Sequence, residues 1–232
     1  MRIGGLQKQS FIDYPGKMSC VVFLSGCNFA CPYCHNPELA GKPGSCGEAL
    51  PPGELFRFLD ERRGFLEGVV VSGGEPTLHE ELPPFLSRIK ALGYPVKLDT
   101  NGSRPEMLAR VIREGLVDYV AMDLKTDPER YPECLCEQAR GTDIRRSMRL
   151  LLESAIDYEF RTTCARPFIS PEIVERIARC IRGCRRYALQ PVRLGRVLRP
   201  GFFEGLDAAF SPEEMRHLHA SAAPWVRECV LR

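Results

Sequence analysis

The chain has 232 residues, 44 % of them hydrophobic and 27 % charged, enough length and apolar content for one globular domain with a sizeable core. A formal net charge of +2 excludes the strongly basic balance of a nucleic-acid binder, and no apolar run reaches the length of a membrane span. Eleven cysteines and no secretory signal at the N-terminus point to a reducing cytoplasm, where thiols serve metals rather than bridges. Acidic residues outnumber basic ones through Ala139 and the reverse holds from Arg140 onward, which makes the second half the better candidate for docking an acidic surface.

A short N-terminal segment carrying Ile12-Asp13-Tyr14-Pro15-Gly16 leads into residues 18–24, a β-branched and aromatic run that predicts a buried strand ending at Ser25-Gly26. The loop that leaves this strand, residues 25–37, holds Cys27, Cys31 and Cys34, spaced four and then three apart. Three thiolates are one short of the closed four-ligand set of structural zinc or of a ferredoxin cluster, so the spacing implies an iron–sulfur cubane with one iron open to a ligand. Two other readings stay open: a zinc site that recruits the adjacent His35, and three buried thiols beside a turn.

Residues 39–52 are rich in Gly and Pro and predict a loop, and residues 54–59 begin a helix that stops near Gly64. Residues 68–72 form the next strand, followed by Gly73-Gly74-Glu75-Pro76; two residues without a Cβ let backbone approach a ligand closely. A helix over 80–92 closed by Gly93 precedes a strand at 95–99 that ends in Asp99-Thr100-Asn101-Gly102. Ser103 and Pro105 start a helix over 106–114, and the strand at 118–124 ends in Met122-Asp123-Leu124-Lys125. A helix at 144–155, a strand at 157–163 ending in Arg161-Thr162-Thr163, a helix from Ser170-Pro171-Glu172 and a strand at 187–190 ending in Gln190-Pro191 follow. The last helix opens on the capping box Ser211-Pro212-Glu213-Glu214, and residues 225–231 can add a terminal strand. Six strand-then-helix units imply parallel strands with crossover helices, in a class that pattern alone leaves open between a doubly wound sheet and a barrel.

The cysteine triplet, with Ile12 to Gly16 before it and Cys34-His35-Asn36-Pro37 within it, resembles the radical S-adenosylmethionine (SAM) superfamily. Within that superfamily it looks like the activating enzymes of glycyl-radical enzymes, above all that of anaerobic ribonucleoside-triphosphate reductase. The resemblance implies an α/β fold, a partial (β/α)6 barrel of parallel strands, to which residues 225–231 can add a C-terminal strand. It further implies a single radical SAM domain over 1–232 whose cysteine loop follows the first strand. Cys27, Cys31 and Cys34 would hold one [4Fe–4S] cluster, with SAM on the open iron. Tyr33, His35, Gly73, Gly74, Glu75, Asp123, Lys125, Arg161 and Gln190 would contact SAM, and Asp99, Thr100, Met122 and Asp123 would cage a monovalent cation.

No general acid or base is implied, because cluster and SAM carry the chemistry: reductive cleavage of SAM to methionine and a 5′-deoxyadenosyl radical that abstracts a hydrogen atom. The expected partners are a glycyl-radical enzyme, anaerobic ribonucleotide reductase first, and a flavodoxin or ferredoxin as electron donor, with neither nucleic acid nor membrane. The alternatives are activation of another glycyl-radical enzyme of the pyruvate formate-lyase type, a radical SAM enzyme acting on a small molecule, and a non-catalytic zinc or electron-transfer protein. Cys20, Cys46, Cys134, Cys136, Cys164, Cys180, Cys184 and Cys229 fall outside the motif and are expected to be inert thiols, although Cys134, Cys136, Cys180 and Cys184 could between them form a zinc site. Residues 7–14 and the Arg-rich stretch 193–199 are the expected docking surfaces for a protein substrate.

Overall fold

The computed structural model describes residues 1–40, 49–132, 134–136 and 141–232, so Cys46 and most of the loop expected at 39–52 lie outside the described residues. The strands are β1 (Ile3–Tyr14), β2 (Lys17–Leu24), β3 (Gly68–Gly73), β4 (Val96–Thr100), β5 (Tyr119–Asp123), β6 (Asp157–Cys164), β7 (Tyr187–Pro191) and β8 (Cys229–Leu231). The helices are α1 (Pro52–Glu61), α2 (Leu82–Ala91), α3 (Pro105–Arg113), α4 (Gly141–Glu153), α5 (Pro171–Cys180) and α6 (Pro212–Ala222). The strands are hydrogen-bonded in chain order into one eight-stranded sheet, and the six units from β2–α1 to β7–α6 are the expected strand-then-helix repeats. By internal contacts the chain divides into one unit of Met1–Asn28, Glu38–Thr100 and Glu106–Val120 and a second of Phe29–Pro37, Asn101–Pro105 and Ala121–Arg232.

In the first unit the strand expected to open the fold is preceded by β1, which pairs antiparallel with β2 through a turn at Pro15-Gly16, where Gly16 takes φ +70°. Ile3 stands opposite Leu24 and Tyr14 opposite Lys17. Residues 7–14 therefore run away from the cysteine loop toward the far end of β2, and their exposed Phe11 and Ile12 lie near the hairpin tip. β2, β3 and β4 pair in parallel, with Val21 opposite Val70 and Val70 opposite Lys97. Tyr14, Val21 and Val70 form one buried cluster against which Phe23 and Tyr119 pack. Leu55 and Leu59 of α1 and Leu82, Leu86 and Ile89 of α2 are buried completely, each such side chain contributing about 1.5–3 kcal/mol by leaving water.

In the second unit β6, β7 and β8 pair in parallel, Phe160 opposite Tyr187 and Tyr187 opposite Cys229. Ser170 caps α5 by accepting from the Ile173 amide, and the capping box of α6 is complete, Ser211 and Glu214 bonding each other's backbone amides. The terminal strand is shorter than 225–231. Pro224 cannot donate to a sheet ladder, and residues Ala223–Trp225 make a 3₁₀ turn, with Arg179 and Arg182 over the Trp225 ring, so pairing begins only at Cys229.

Candidate active site

The root of the cysteine loop belongs to the first unit, and four backbone bonds hold it. Ser25 N–H donates to Arg2 O (3.0 Å) and Gly26 N–H to Leu39 O (2.9 Å), while Gly74 N–H donates to Leu24 O and Glu75 N–H to Gly26 O, both at 2.8 Å. The glycine pair permits this approach. A Cβ on Gly73, whose φ is +114°, would fall 2.4 Å from Leu24 N and O, and one on Gly74 would fall 2.1 Å from Gly26 O. Gly73 and Gly74 thus make their close approach to the root of the loop that carries Cys27, not to a ligand. His79, buried, adds an Nε2–H bond to Ser25 O at 3.1 Å.

Glu75 is fully buried and caps the 3₁₀ turn Pro76–Leu78. Its Oε1 accepts from Thr77 N–H (3.0 Å) and from the hydroxyls of Thr77 (2.5 Å) and Thr100 (2.8 Å). Asp99 accepts from Ser72 Oγ at 3.1 Å and from the ammonium of Lys97.

The rest of the loop belongs to the second unit. Cys34 N–H donates to Cys31 O (2.9 Å), closing a turn that brings the two cysteines to its ends. The turn is strapped by Leu198 N–H to Cys34 O (3.1 Å), Arg199 N–H to Pro32 O (3.0 Å) and Ala30 N–H to Leu135 O (2.8 Å). Phe29 packs edge-on against Tyr131 and Tyr33 against Phe168, with ring centroids 5.8 and 5.6 Å apart. Tyr33 is 3 % exposed, and its hydroxyl has no hydrogen-bond partner among the described residues. A buried unpaired hydroxyl is costly.

Asp123 gathers Arg161 Nε on Oδ1 (2.8 Å) and Lys125 Nζ on Oδ2 (2.9 Å). Burial alone would raise the Asp123 carboxyl, but the charges and hydrogen bonds of Arg161 and Lys125 outweigh it and hold the carboxyl well below the usual carboxylate range. Lys125 is held above its ordinary value because Asp123 outweighs the opposing effect of burial. Lys125 and Asp123 also reach Cys31 electrostatically: burial pushes that thiol up to about 11, and Lys125 pulls against the rise. His35 sits below its ordinary value through burial and the charges of Arg193 and Lys125, so it is neutral at neutral pH. Gln190 stands opposite Thr163 on β7.

The structure thus brings Gly73, Gly74, Glu75, Asp99 and Thr100 to the strand ends of the first unit, and Cys31, Asp123, Lys125 and Arg161 together in the second. Lys97, His79, Tyr131 and the 198–199 strap went unmarked in the sequence. Among the described residues no three His, Cys, Asp or Glu side chains form a ready-made metal site, and Cys27, Cys31 and Cys34 are in no disulfide. Three unbridged cysteines, one buried beside a lysine, fit an iron–sulfur donor set in chemistry and spacing.

Residues 21–182 match the model of the radical SAM superfamily. A Methanocaldococcus jannaschii protein described as a glycyl-radical enzyme activating enzyme is 37 % identical over 195 residues, 81 % of this chain and 78 % of its own length. The pyruvate formate-lyase-activating enzyme of Clostridium pasteurianum is 31 % identical over 148 residues, 61 % of this chain and 60 % of the relative. In fold, Streptococcus suis SuiB bound to S-adenosylmethionine superposes with a TM-score of 0.69 at 14 % identity, over 91 % of this chain and 49 % of SuiB. The chain belongs to the radical SAM superfamily and, within it, to the glycyl-radical enzyme activating enzymes.

Proposed function

We propose that Cys27, Cys31 and Cys34 hold one [4Fe–4S] cluster, and that the Gly73-Gly74-Glu75 turn and the Asp123–Lys125–Arg161 group each contribute contacts to SAM. The observation that carries this reading is the Lys125 ammonium, held by Asp123 and close enough to Cys31 to act on its thiol, a cation of the kind that receives a ligand-borne carboxylate. The unpaired Tyr33 hydroxyl and His35 supply further polar contacts in this reading, and Gln190, opposite Thr163 in the sheet, is the contact from β7. When bound, the cluster supplies the electron that cleaves SAM to methionine and a 5′-deoxyadenosyl radical. The chain's own residues bind and orient SAM, exclude water through the aromatic packing of Phe29 and Tyr33, and take no part as general acid or base.

The substrate in this reading is a backbone glycine of a partner glycyl-radical enzyme, anaerobic ribonucleotide reductase foremost, with a flavodoxin or ferredoxin as donor. The similarity to a pyruvate formate-lyase-activating enzyme supports that partner class as the second reading. The test is to incubate the anaerobically purified protein with SAM, a strong reductant and each candidate partner, then record electron paramagnetic resonance. A persistent doublet on one partner, with methionine and 5′-deoxyadenosine formed, supports the reading and names the partner. Consumption of a small metabolite in step with SAM while every partner stays silent overturns it.

A further inference from the structure

Lys97 is out of place in β4 by the ordinary rules of burial. It is 1 % exposed, and it stands opposite Val70, a member of the buried cluster with Tyr14 and Val21. A lone ammonium there would be far too costly, so its charge must be met. It is met by Asp99, two residues on and on the same side of the strand, whose other oxygen accepts from Ser72 Oγ at 3.1 Å.

This pairing bears on the cation expected at Asp99, Thr100, Met122 and Asp123. A metal cation needs lone pairs aimed at it. Asp99 already faces an ammonium and a hydroxyl. The two oxygens of Asp123 face Arg161 and Lys125 at 2.8 and 2.9 Å. The Met122 side chain lies against Gly102, its Cε 2.1 Å from where a Cβ would stand. With an ammonium and a hydroxyl already on its carboxylate, Asp99 does not fit a monovalent metal ion.

We propose that the Lys97 ammonium is a tethered replacement for that ion: as a positioning residue it neutralises Asp99 and fixes the carboxylate at the end of β4, so that SAM binds without sodium or potassium. A cation carried on the same strand needs no capture from solution, and its charge does not vary with the salt present. The proposal rests on the SAM-site reading above.

The experiment compares the reconstituted wild type, Lys97→Met and the double variant Lys97→Met/Asp99→Asn in choline, sodium and potassium chloride at matched ionic strength. Two quantities are read: SAM affinity by equilibrium dialysis, and the thermal midpoint without SAM. The wild type is expected to give the same values in all three salts. Lys97→Met should bind SAM about tenfold more weakly in choline, the scale of one lost charged contact, and should regain affinity and midpoint saturably as sodium or potassium is added. The double variant, with no carboxylate to neutralise, should ignore the choice of salt; it also decides the matter if the single variant fails to fold in choline.

A wild type whose affinity or midpoint rises saturably with sodium or potassium overturns the proposal. So does a folded Lys97→Met that matches the wild type in choline, or a double variant that responds to potassium. A wild type that binds no SAM in any salt sinks the SAM-site reading instead, and the thermal midpoints still judge Lys97.

Discussion

The Nε2 of His79 lies 3.1 Å from the carbonyl oxygen of Ser25, two residues before Cys27. A carbonyl can only accept, so the imidazole donates, and burial holds its pKa below the ordinary histidine value. His79→Ala leaves the Ser25 carbonyl without this donor, a loss of about 1–3 kcal/mol at a buried site. We expect a lower thermal midpoint and fewer irons retained after gel filtration, with His79→Gln recovering part of both. The pH dependence has a definite sign. A group whose folded pKa is depressed stabilises fully above its unfolded value, about 6.5 for histidine, and loses that stability as pH falls through the folded value. Stability should therefore decline below about pH 6.5, and less steeply in His79→Gln than in the wild type; equal slopes would show that His79 does not titrate with folding.

Gly74→Ala tests whether the loop root and the Gly-Gly-Glu turn act as one piece. The added Cβ would stand 2.1 Å from Gly26 O, a backbone atom that cannot swing aside, so the Glu75 to Gly26 bond must break or the chain must shift. Overpacking of this kind costs about 1–3 kcal/mol. We expect that loss in urea titration, together with cluster content well below the four irons expected per chain in the wild type. Gly53→Ala is the control: nothing lies within 4 Å of its Cβ and it sits in α1, so alanine should be neutral or stabilising by up to about 1 kcal/mol.

Much of this was legible in the sequence, for reasons that differ by element. The six strand–helix units announced themselves through compact β-branched runs and through caps such as Ser170 and Ser211, which are local signals. β1 was missed because Gln7, Lys8 and Gln9 are exposed and Gly4 and Gly5 interrupt the pattern, so no apolar alternation marks it as a strand. Lys97 was missed because a charged residue in a strand reads as solvent-facing; only the register that sets it opposite Val70, with Asp99 two residues on, reveals an internal ion pair. The strap from Leu198 and Arg199 to the cysteine turn works through backbone groups, and side-chain identity carries no trace of it. The motifs Gly73-Gly74-Glu75 and Asp123-Leu124-Lys125 were readable as text, whereas the use of Glu75 as a cap for Thr77 was not.

Asp123 is the hub of a three-charge group, so its removal should exceed the removal of either partner. Asp123→Asn leaves Lys125 and Arg161, 15 % and 14 % exposed, facing each other without the carboxylate. Orphaning one side of a buried pair costs roughly 3 kcal/mol or more, and the 27 % exposure of Asp123 places it at the low end. Lys125→Met and Arg161→Met should be non-additive in a double-mutant cycle, because each changes what the other finds at Asp123. The sign with pH follows from the depressed carboxyl: its stabilisation is complete above about pH 4, the unfolded aspartate value, and fades only as pH falls below it. Between pH 6 and 8 the wild type should show no titration from this group; a midpoint that changes there and is flattened by Asp123→Asn would contradict the assignment.

Tyr33→Phe separates a ligand contact from a structural one. The phenol oxygen is buried and unpartnered among the described residues, so deleting it removes an unmet polar group while the ring keeps its packing on Phe168. A structural hydroxyl would leave a destabilised protein when lost. Here the reverse is expected: a thermal midpoint of the SAM-free protein equal to or above that of the wild type, since an unsatisfied buried hydroxyl costs about 1–3 kcal/mol. If the oxygen instead meets SAM, affinity should fall by roughly 2- to 10-fold, the worth of one neutral hydrogen bond of about 0.5–1.5 kcal/mol, with iron content unchanged. Equilibrium dialysis with labelled SAM and a melt of the SAM-free protein read the two effects independently. An unchanged affinity would remove Tyr33 from the ligand set and leave its hydroxyl as an uncompensated defect of the loop.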